Sequence, residues 1–360
     1  MKLVYITAKD TEKEYSGVYK KINNQIKSLK DNGIEVELYE CDAIKKWKKL
    51  IPFNSRSFEW RKINIPKDTD VIYIRYQYSD FQFIQALRRW KKQNIRIIIE
   101  MPMYPYMGEL KKMASKITIV RDLIYSRYIS KYVSRIVTFT THDYIYGVKT
   151  IPMVNGIDVN AIEVKKKTDD TIKSSINLFA VAMINFSHGY DRILAGLKEY
   201  YNEKGGKENI VFHLVGDGKI LPELKKYVFE NHLDEHVIFY GFKSATEVSE
   251  LYDKMDIGID VLGGHRKGDW WFGTLKSREY LCKGLPFITE YKLPDNVKPM
   301  RKYILNVPAD ETPINMDDVV KFYNSIRNLD AINDMRNFAK EYCDINVVML
   351  PLVNYINEDL

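Results

Sequence analysis

The sequence predicts an α/β chain built from two doubly wound parallel sheets. Three observations predict it. Short runs of β-branched and aromatic residues recur along the chain, and the segments between them are long enough for crossover helices. A length of 360 residues exceeds what one hydrophobic core covers, so two domains are expected. A charged, apolar-poor stretch at 163–175, with Lys165-Lys166-Lys167 and Asp169-Asp170, divides the runs into two groups and reads as a linker.

In the front domain, 1–162, the strands are expected at 2–7, 35–40, 71–76, 96–101, 135–140 and 150–154. The first run is apolar with charged residues following at once, which marks a strand and not a signal peptide. Val18, Ile22, Ile26 and Leu29 fall on one helical face. In the back domain, 176–340, strands are expected at 177–183, 209–216, 236–242, 256–261, 285–290 and 303–308, with a helix over 221–228. From 317 onward the pattern is helical with no third sheet, and 341–360 is expected to pack back on the front domain. Open parallel sheets take their ligands beyond the carboxyl ends of the strands, so two facing sheets predict a cleft whose chemistry lies just after the strands.

Composition narrows the class. Hydrophobic residues at 45% and charged residues at 29% exclude a disordered or collagen-like chain. Cys41, Cys282 and Cys343 are odd in number and widely separated, which fits a reducing compartment better than a disulfide framework or zinc site. No run of about 18 uncharged apolar residues occurs, so a cytoplasmic protein is expected, with attachment at a membrane face left open. The net charge of +7 is uneven: residues 1–160 carry 29 Lys and Arg against 17 Asp and Glu, and the remainder 26 against 31. A basic front half suits nucleic acid, phosphate or an anionic membrane. No helix-turn-helix, zinc or RNA-recognition signature is present, which removes nucleic acid. The basic and aromatic residues of 44–53 and of the 17–30 helix suit either lipid head groups or a solvated lysine-rich face.

Gly216-Asp217-Gly218 follows a strand and precedes a helix, but position 221 is Leu, so it is only part of a dinucleotide fingerprint. It reads equally as a ligand-side turn and as a plain strand-to-helix turn. The stretch 263–286, GGHRKGDWWFGTLKSREYLCKGLP, is richer. It opens after a strand and holds the cations Arg266, Lys267, Lys276 and Arg278, followed by a short helix. Cations in a first helical turn are disfavoured by roughly 0.3–1 kcal/mol each unless an anion sits at that helix end. Glu279, one turn in, is placed to accept ribose hydroxyls; the rival is a surface carboxylate paired with a neighbouring cation.

Thr274-Leu275-Lys276-Ser277-Arg278-Glu279 and the residues through 288 resemble the donor-binding signature of family 4 retaining glycosyltransferases with the GT-B fold. Asn155-Gly156-Ile157-Asp158 is similar to the close of that family's first domain. VAMINFSHGYDRILAGL, starting at Val181, is similar to its phosphate-binding strand–loop–helix, and HLVGDG and VIFYGF to the next two strands. Ser16-Gly17 resembles its first glycine loop. The resemblance covers most of the chain and is strongest over 151–288.

It implies transfer of a sugar from a nucleotide-diphosphate donor to a saccharide acceptor, with retention and with no metal or further cofactor. The acceptor is expected to be lipid-linked, as in bacterial capsule, exopolysaccharide or O-antigen assembly. Carried onto this sequence, the donor would be held by Gly17, His188, Gly189, Gly216, Asp217, Arg266, Lys267, Thr274, Leu275, Lys276 and Glu279. Arg266 and Lys267 would neutralise the departing diphosphate. Glu100, at the end of a strand, would orient the acceptor hydroxyl, with a buried structural carboxylate as its rival. Tyr104 and Tyr106 would stack on the acceptor, against plain surface packing.

Two departures matter. The family's paired glutamates stand eight apart, and counting back from Glu279 gives Trp271. Its Arg and Lys in the second domain's first loop align with Met183 and His188. A non-catalytic nucleotide-sugar-binding or glycan-binding protein and a nucleotide-sugar epimerase therefore stay as alternatives. Three other patterns carry no chemistry: the zincin-like spacing of His232 and His236 falls on a turn, Asp68-Thr69-Asp70 precedes its strand, and Cys282 has no supporting base.

Overall fold

The computed structural model describes residues 1–9, 17–42, 44, 57–104, 113–166, 174–267, 273–293 and 295–358. The chain divides into two compact units, 1–156 with 345–360 and 157–344.

The first unit runs β1 (Lys2–Ala8), α1 (Gly17–Asp31), β2 (Glu35–Cys41), β3 (Val71–Arg75), α2 (Phe81–Lys92), β4 (Arg96–Met101), α3 (Met113–Ser126), β5 (Arg135–Thr138), β6 (Tyr144–Ile145) and β7 (Val148–Pro152). Among the described residues its strands lie in the order β2-β1-β3-β4-β5-β7-β6, parallel except for β6 against β7. Helices cover both faces, so central strands such as Arg-Ile-Ile-Ile-Glu-Met read as continuous apolar runs rather than alternating ones. One face packs Ile72, Ile74, Ile97 and Ile99 against Phe83, Leu87 and Trp90 of α2. That helix starts where the Asp80 carboxylate accepts the Phe83 N–H at 2.9 Å.

The second unit runs β8 (Ile176–Val181), α4 (Tyr190–Lys198), β9 (Ile210–Val215), α5 (Leu221–Glu230), β10 (Val237–Gly241), α6 (Ala245–Tyr252), β11 (Ile257–Ile259), α7 (Leu275–Lys283), β12 (Phe287–Thr289), β13 (Ile304–Asn306), α8 (Met316–Ile326) and α9 (Ala331–Tyr342). Its parallel strand order is β10-β9-β8-β11-β12-β13. The chain then returns to the first unit as α10 (Ile345–Asn357). The apolar side of α10, with Ile345, Val348, Met349, Leu352 and Ile356, closes the other face of the first sheet against Leu3, Tyr5, Val71 and Ile98.

Two local differences from the sequence expectation have simple causes. The hairpin β6–β7 is an addition: Tyr146 and Gly147 both have positive φ (51° and 75°), which makes the two-residue turn whose twist suits a hairpin. Val18 belongs to the apolar stripe of α1 by spacing, yet it is exposed in the first turn, where it faces a cavity beside the end of β1.

Both sheets reverse their winding direction at one point: between β1 and β3 in the first unit, and between β8 and β11 in the second. Helices leave opposite faces there, and the carboxyl ends of the two strands open a crevice. Each unit therefore has one place where its backbone favours a ligand.

Candidate functional site

In the second unit the crevice is built from the loop after β8 and the loop after β11. The first contains the short turn Phe186–His188 and the second the turn Gly264–Lys267. They cross at Gly189, whose φ is +69° and whose Cβ would stand 2.4–2.5 Å from the Leu262 carbonyl. Leu262 N–H donates to the His188 carbonyl at 3.0 Å. Only a glycine permits this approach. Gly216, at φ +121°, has a similar role: a Cβ there would lie 1.9 Å from the Ala182 oxygen. The turn after β9 is thus packed against the β8 loop, and Asp217 is exposed with its carboxylate accepting the Gly218 N–H.

Helix α7 begins at this edge. Thr274 caps it, accepting the Ser277 N–H at 3.0 Å and donating its hydroxyl to buried Asp260. Capping leaves the first amides of the helix, at Leu275 and Lys276, outside the intrahelical ladder, where an anion is favoured. The Lys276 ammonium donates to the Asp260 carbonyl at 2.9 Å and lies 3.3 Å from the Tyr190 hydroxyl. Burial lowers its pKa to about 8, with Asp260 opposing, so it remains protonated at neutral pH. His188 stacks on Tyr190, ring centroids 5.3 Å apart. Burial, then the charges of Lys276 and Lys267, push His188 down to about 2, so it is neutral. Its Nδ1 accepts the Asn185 N–H at 3.2 Å, which puts the proton on Nε2 as a donor. Lys267 sits 5.8 Å from the Phe186 ring centroid. Glu279 is half-buried and accepts the hydroxyl of buried Tyr252.

Arg266 corrects one expectation. Its guanidinium makes a bidentate pair with Asp191 (2.9 and 2.7 Å), pairs with Glu311, and donates to the Phe186 carbonyl at 2.7 Å. Two carboxylates already pair with it, which weakens the field it presents to a diphosphate. It fastens the β11 loop to α4. Arg278 also turns inward, donating to Cys343 Sγ at 3.4 Å. The crevice walls rest on a buried pair that sequence reasoning missed. Arg192 bonds Glu290 at 3.1 Å and the carbonyls of Leu262, Pro308 and Thr312. Nothing in the sequence pattern distinguishes that arginine from the exposed ones.

In the first unit the crevice contains a cavity of about 200 Å³. Ala8 at the end of β1 and Lys9 after it, Glu40 of β2, Arg75 and Gln77 at the end of β3, and Val18 and Tyr19 in the first turn of α1 line it. Gly17 is the exposed first residue of α1. Beneath the cavity lies Glu100, fully buried. Its carboxylate accepts from Gln25 (2.7 Å), Tyr73 (2.8 Å) and Arg75, and Lys21 Nζ stands 3.5 Å away. Burial alone would raise this carboxyl; Lys21 and Arg75, with the Gln25 and Tyr73 hydrogen bonds, overcome it and hold the pKa at about 2. Every approach to Glu100 is occupied, so it is the buried structural carboxylate, and the expectation that it orients an acceptor hydroxyl is corrected. What it presents to the cavity is Arg75, held in place.

Tyr104 is half-buried, edge-on to His142 (ring centroids 5.1 Å) and to Tyr146 (5.8 Å). His142 follows β5 and was not anticipated; Thr140 Oγ1 lies 2.9 Å from its Nδ1. Tyr106 and Trp271 lie outside the described residues. Among the described residues no group of three or more His, Cys, Asp or Glu stands together as a metal site.

No protein-family model matches the chain, and no curated protein matches it in sequence. Solved structures do. HepE from Anabaena, in complex with UDP, superposes with a TM-score of 0.67 at 11% identity, over 99% of this chain and 100% of that one. Sucrose-phosphate synthase from Thermosynechococcus elongatus gives 0.66 at 11% identity, over 99% and 98%. The lipopolysaccharide outer core galactosyltransferase WaaB, in its apo form, gives 0.59 at 15%, over the whole of both. The fold is that of the GT-B glycosyltransferases.

Proposed function

We propose that this protein is a retaining glycosyltransferase that moves a sugar from a nucleotide-diphosphate donor to a lipid-linked saccharide, in the assembly of a bacterial surface polysaccharide. One observation carries the reading: the carboxyl-edge crevice of the second unit gathers Lys267, Lys276, the Nε2–H of neutral His188 and the open amides of α7. A fixed set of donors at one point suits a diphosphate on which charge develops as the glycosyl bond breaks. The bond from the anomeric carbon to the phosphate oxygen breaks and the bond to the acceptor oxygen forms. The acceptor proton leaves with the phosphate. Glu279 takes the ribose hydroxyls, and its Tyr252 hydrogen bond fixes its orientation. No metal is required, because lysines and amides supply the positive charge.

The solved complexes of HepE with UDP and with UDP-glucose make uridine the first base to test. Support for the acceptor comes from the first unit: the basic excess of residues 1–160, Arg75 at the cavity, and the Tyr104–His142 surface against which a sugar ring can stack. A thermal-shift series with UDP-, GDP- and dTDP-sugars tests the donor, and Glu279→Ala should lower donor affinity at least about tenfold, the loss of roughly one charged hydrogen bond. Unchanged affinity and turnover would count against the assignment.

Trp271, where the resemblance expects a glutamate, favours a second reading as a nucleotide-sugar-binding protein without turnover. Donor consumption with a panel of saccharide acceptors separates the two.

A further inference from the structure

Helix α3 is amphipathic the wrong way round for a helix that only covers a sheet. Val120, Leu123, Ile124 and Arg127 follow the spacing of one helical face, and that face is outward: Val120 is 55%, Leu123 49% and Ile124 44% exposed. The inward face carries Asp122 and Ser126, both buried. The Asp122 carboxylate accepts the Tyr76 hydroxyl, the Ser79 N–H and, at 3.3 Å, the Tyr146 hydroxyl. The helix therefore cannot be rotated to hide its aliphatic side without breaking that buried network. Tyr128 continues the apolar side and is exposed, as is Phe81 at the start of α2, whose ring stands 6.4 Å from that of Tyr125.

The charge around this face has one sign. Among the described residues from 118 to 131 the cations are Arg121, Arg127 and Lys131, and the single acid, Asp122, is buried. Arg127 and Lys131 are exposed, and Lys131 lies 5.2 Å from the Tyr128 ring centroid. Aliphatic residues flanked by arginine and lysine, with no exposed acid between them, complement a surface that is apolar beneath and anionic on top. A soluble protein partner would have to be both acidic and greasy over the same few residues.

We propose that the outer face of α3, with Phe81 and Tyr128, docks on an anionic lipid bilayer. Leu123 and Ile124 enter between the head groups, and Arg127 and Lys131 meet the phosphates. The aromatic–basic segment at 44–53 lies mostly outside the described residues, so the docking surface comprises the outer face of α3, Phe81 and the residues from Arg127 to Lys131. The proposal draws its purpose from a lipid-linked acceptor, but its observations are independent of the transferase reading.

The test uses the full chain and sedimentation with vesicles of phosphatidylcholine, with and without phosphatidylglycerol. Binding is expected to the anionic vesicles only and to weaken with salt. The double substitution Leu123→Glu and Ile124→Glu should lower it about tenfold or more, since it removes insertion and adds repulsion. Arg127→Glu with Lys131→Glu should abolish the preference for phosphatidylglycerol. Both pairs point outward, so the far-UV circular dichroism and UDP-sugar binding of each variant should stay those of the parent. Equal sedimentation of the parent with both vesicle types, or unchanged binding by the Leu123/Ile124 variant, overturns the proposal. So does dissociation of a parent dimer by that variant with no vesicle effect, which would make the face a contact between copies. Loss of UDP-sugar binding by the parent would defeat the transferase reading and leave the docking result standing.

Discussion

Replacing Glu100 with glutamine keeps the shape of the side chain and removes its charge. Lys21 is 8% exposed, Arg75 is nearly buried, and Glu100 is the acid paired with both. Breaking a buried ion pair from one side costs about 3–5 kcal/mol, because the partner charges stay buried without compensation. The pKa gives a second measure. Glu100 falls from 4.5 to about 2 on folding, which corresponds to about 3 kcal/mol of stability. Because the folded value is the lower one, that stability is fully present above pH 4.5 and is lost as pH falls through about 2. Glu100→Gln should therefore lower the melting temperature of the first unit by roughly 10 °C, at about 2–4 °C per kcal/mol for a unit of this size. It should also flatten the acid limb of stability between pH 4.5 and 2. Adding Lys21→Met should recover part of the loss, since it removes a cation that burial already pushes down to about 8. Calorimetry of the three proteins across this pH range is the assay. A cost below about 1 kcal/mol at pH 7, or an acid limb identical to that of the parent, would refute the reasoning. Loss of turnover with stability intact would return Glu100 to the acceptor.

Other outcomes follow from the same geometry. Gly189→Ala places a methyl against the Leu262 carbonyl at positive φ; a melting loss of about 2 kcal/mol or more in the second unit is expected, with weaker donor binding. Arg266→Ala should destabilise the β11 loop, read by faster amide exchange at 262–267. Lys267→Ala should leave that exchange unchanged and weaken UDP-sugar binding about tenfold, the value of one charged contact. Lys276 is protonated below its pKa of about 8, so donor affinity should fall as pH rises through 8, and titration calorimetry should show no such fall for Lys276→Met.

Much of the fold was legible because parallel strands buried on both faces advertise themselves as apolar runs: β4 and β9 stand within a residue or so of their expected ends. The sequence pointed to the carboxyl ends of the strands as the place to look for a ligand, but strand order, which fixes where each doubly wound sheet opens, comes from the structure. The β6–β7 hairpin was not legible, because a Tyr-Gly turn lacks the usual Asn-Gly signal.

Charge is where sequence and structure part. The sequence by itself determined two α/β units, their glycine-punctuated loops, and the cations that follow β11. It could not rank those cations. Arg266 and Lys267 are neighbours in the chain and look alike, yet Arg266 pairs with Asp191, 75 residues away, whereas Lys267 lies near the Phe186 ring and acts on His188. Glu100 likewise gains its meaning from Arg75, 25 residues away, and from Lys21. Whether a charged group is available for chemistry depends on what the fold places within a few ångströms of it, because at that range Coulomb interactions and lost solvation outweigh the residue's intrinsic properties. Those neighbours come from distant parts of the chain, and only the tertiary structure chooses them.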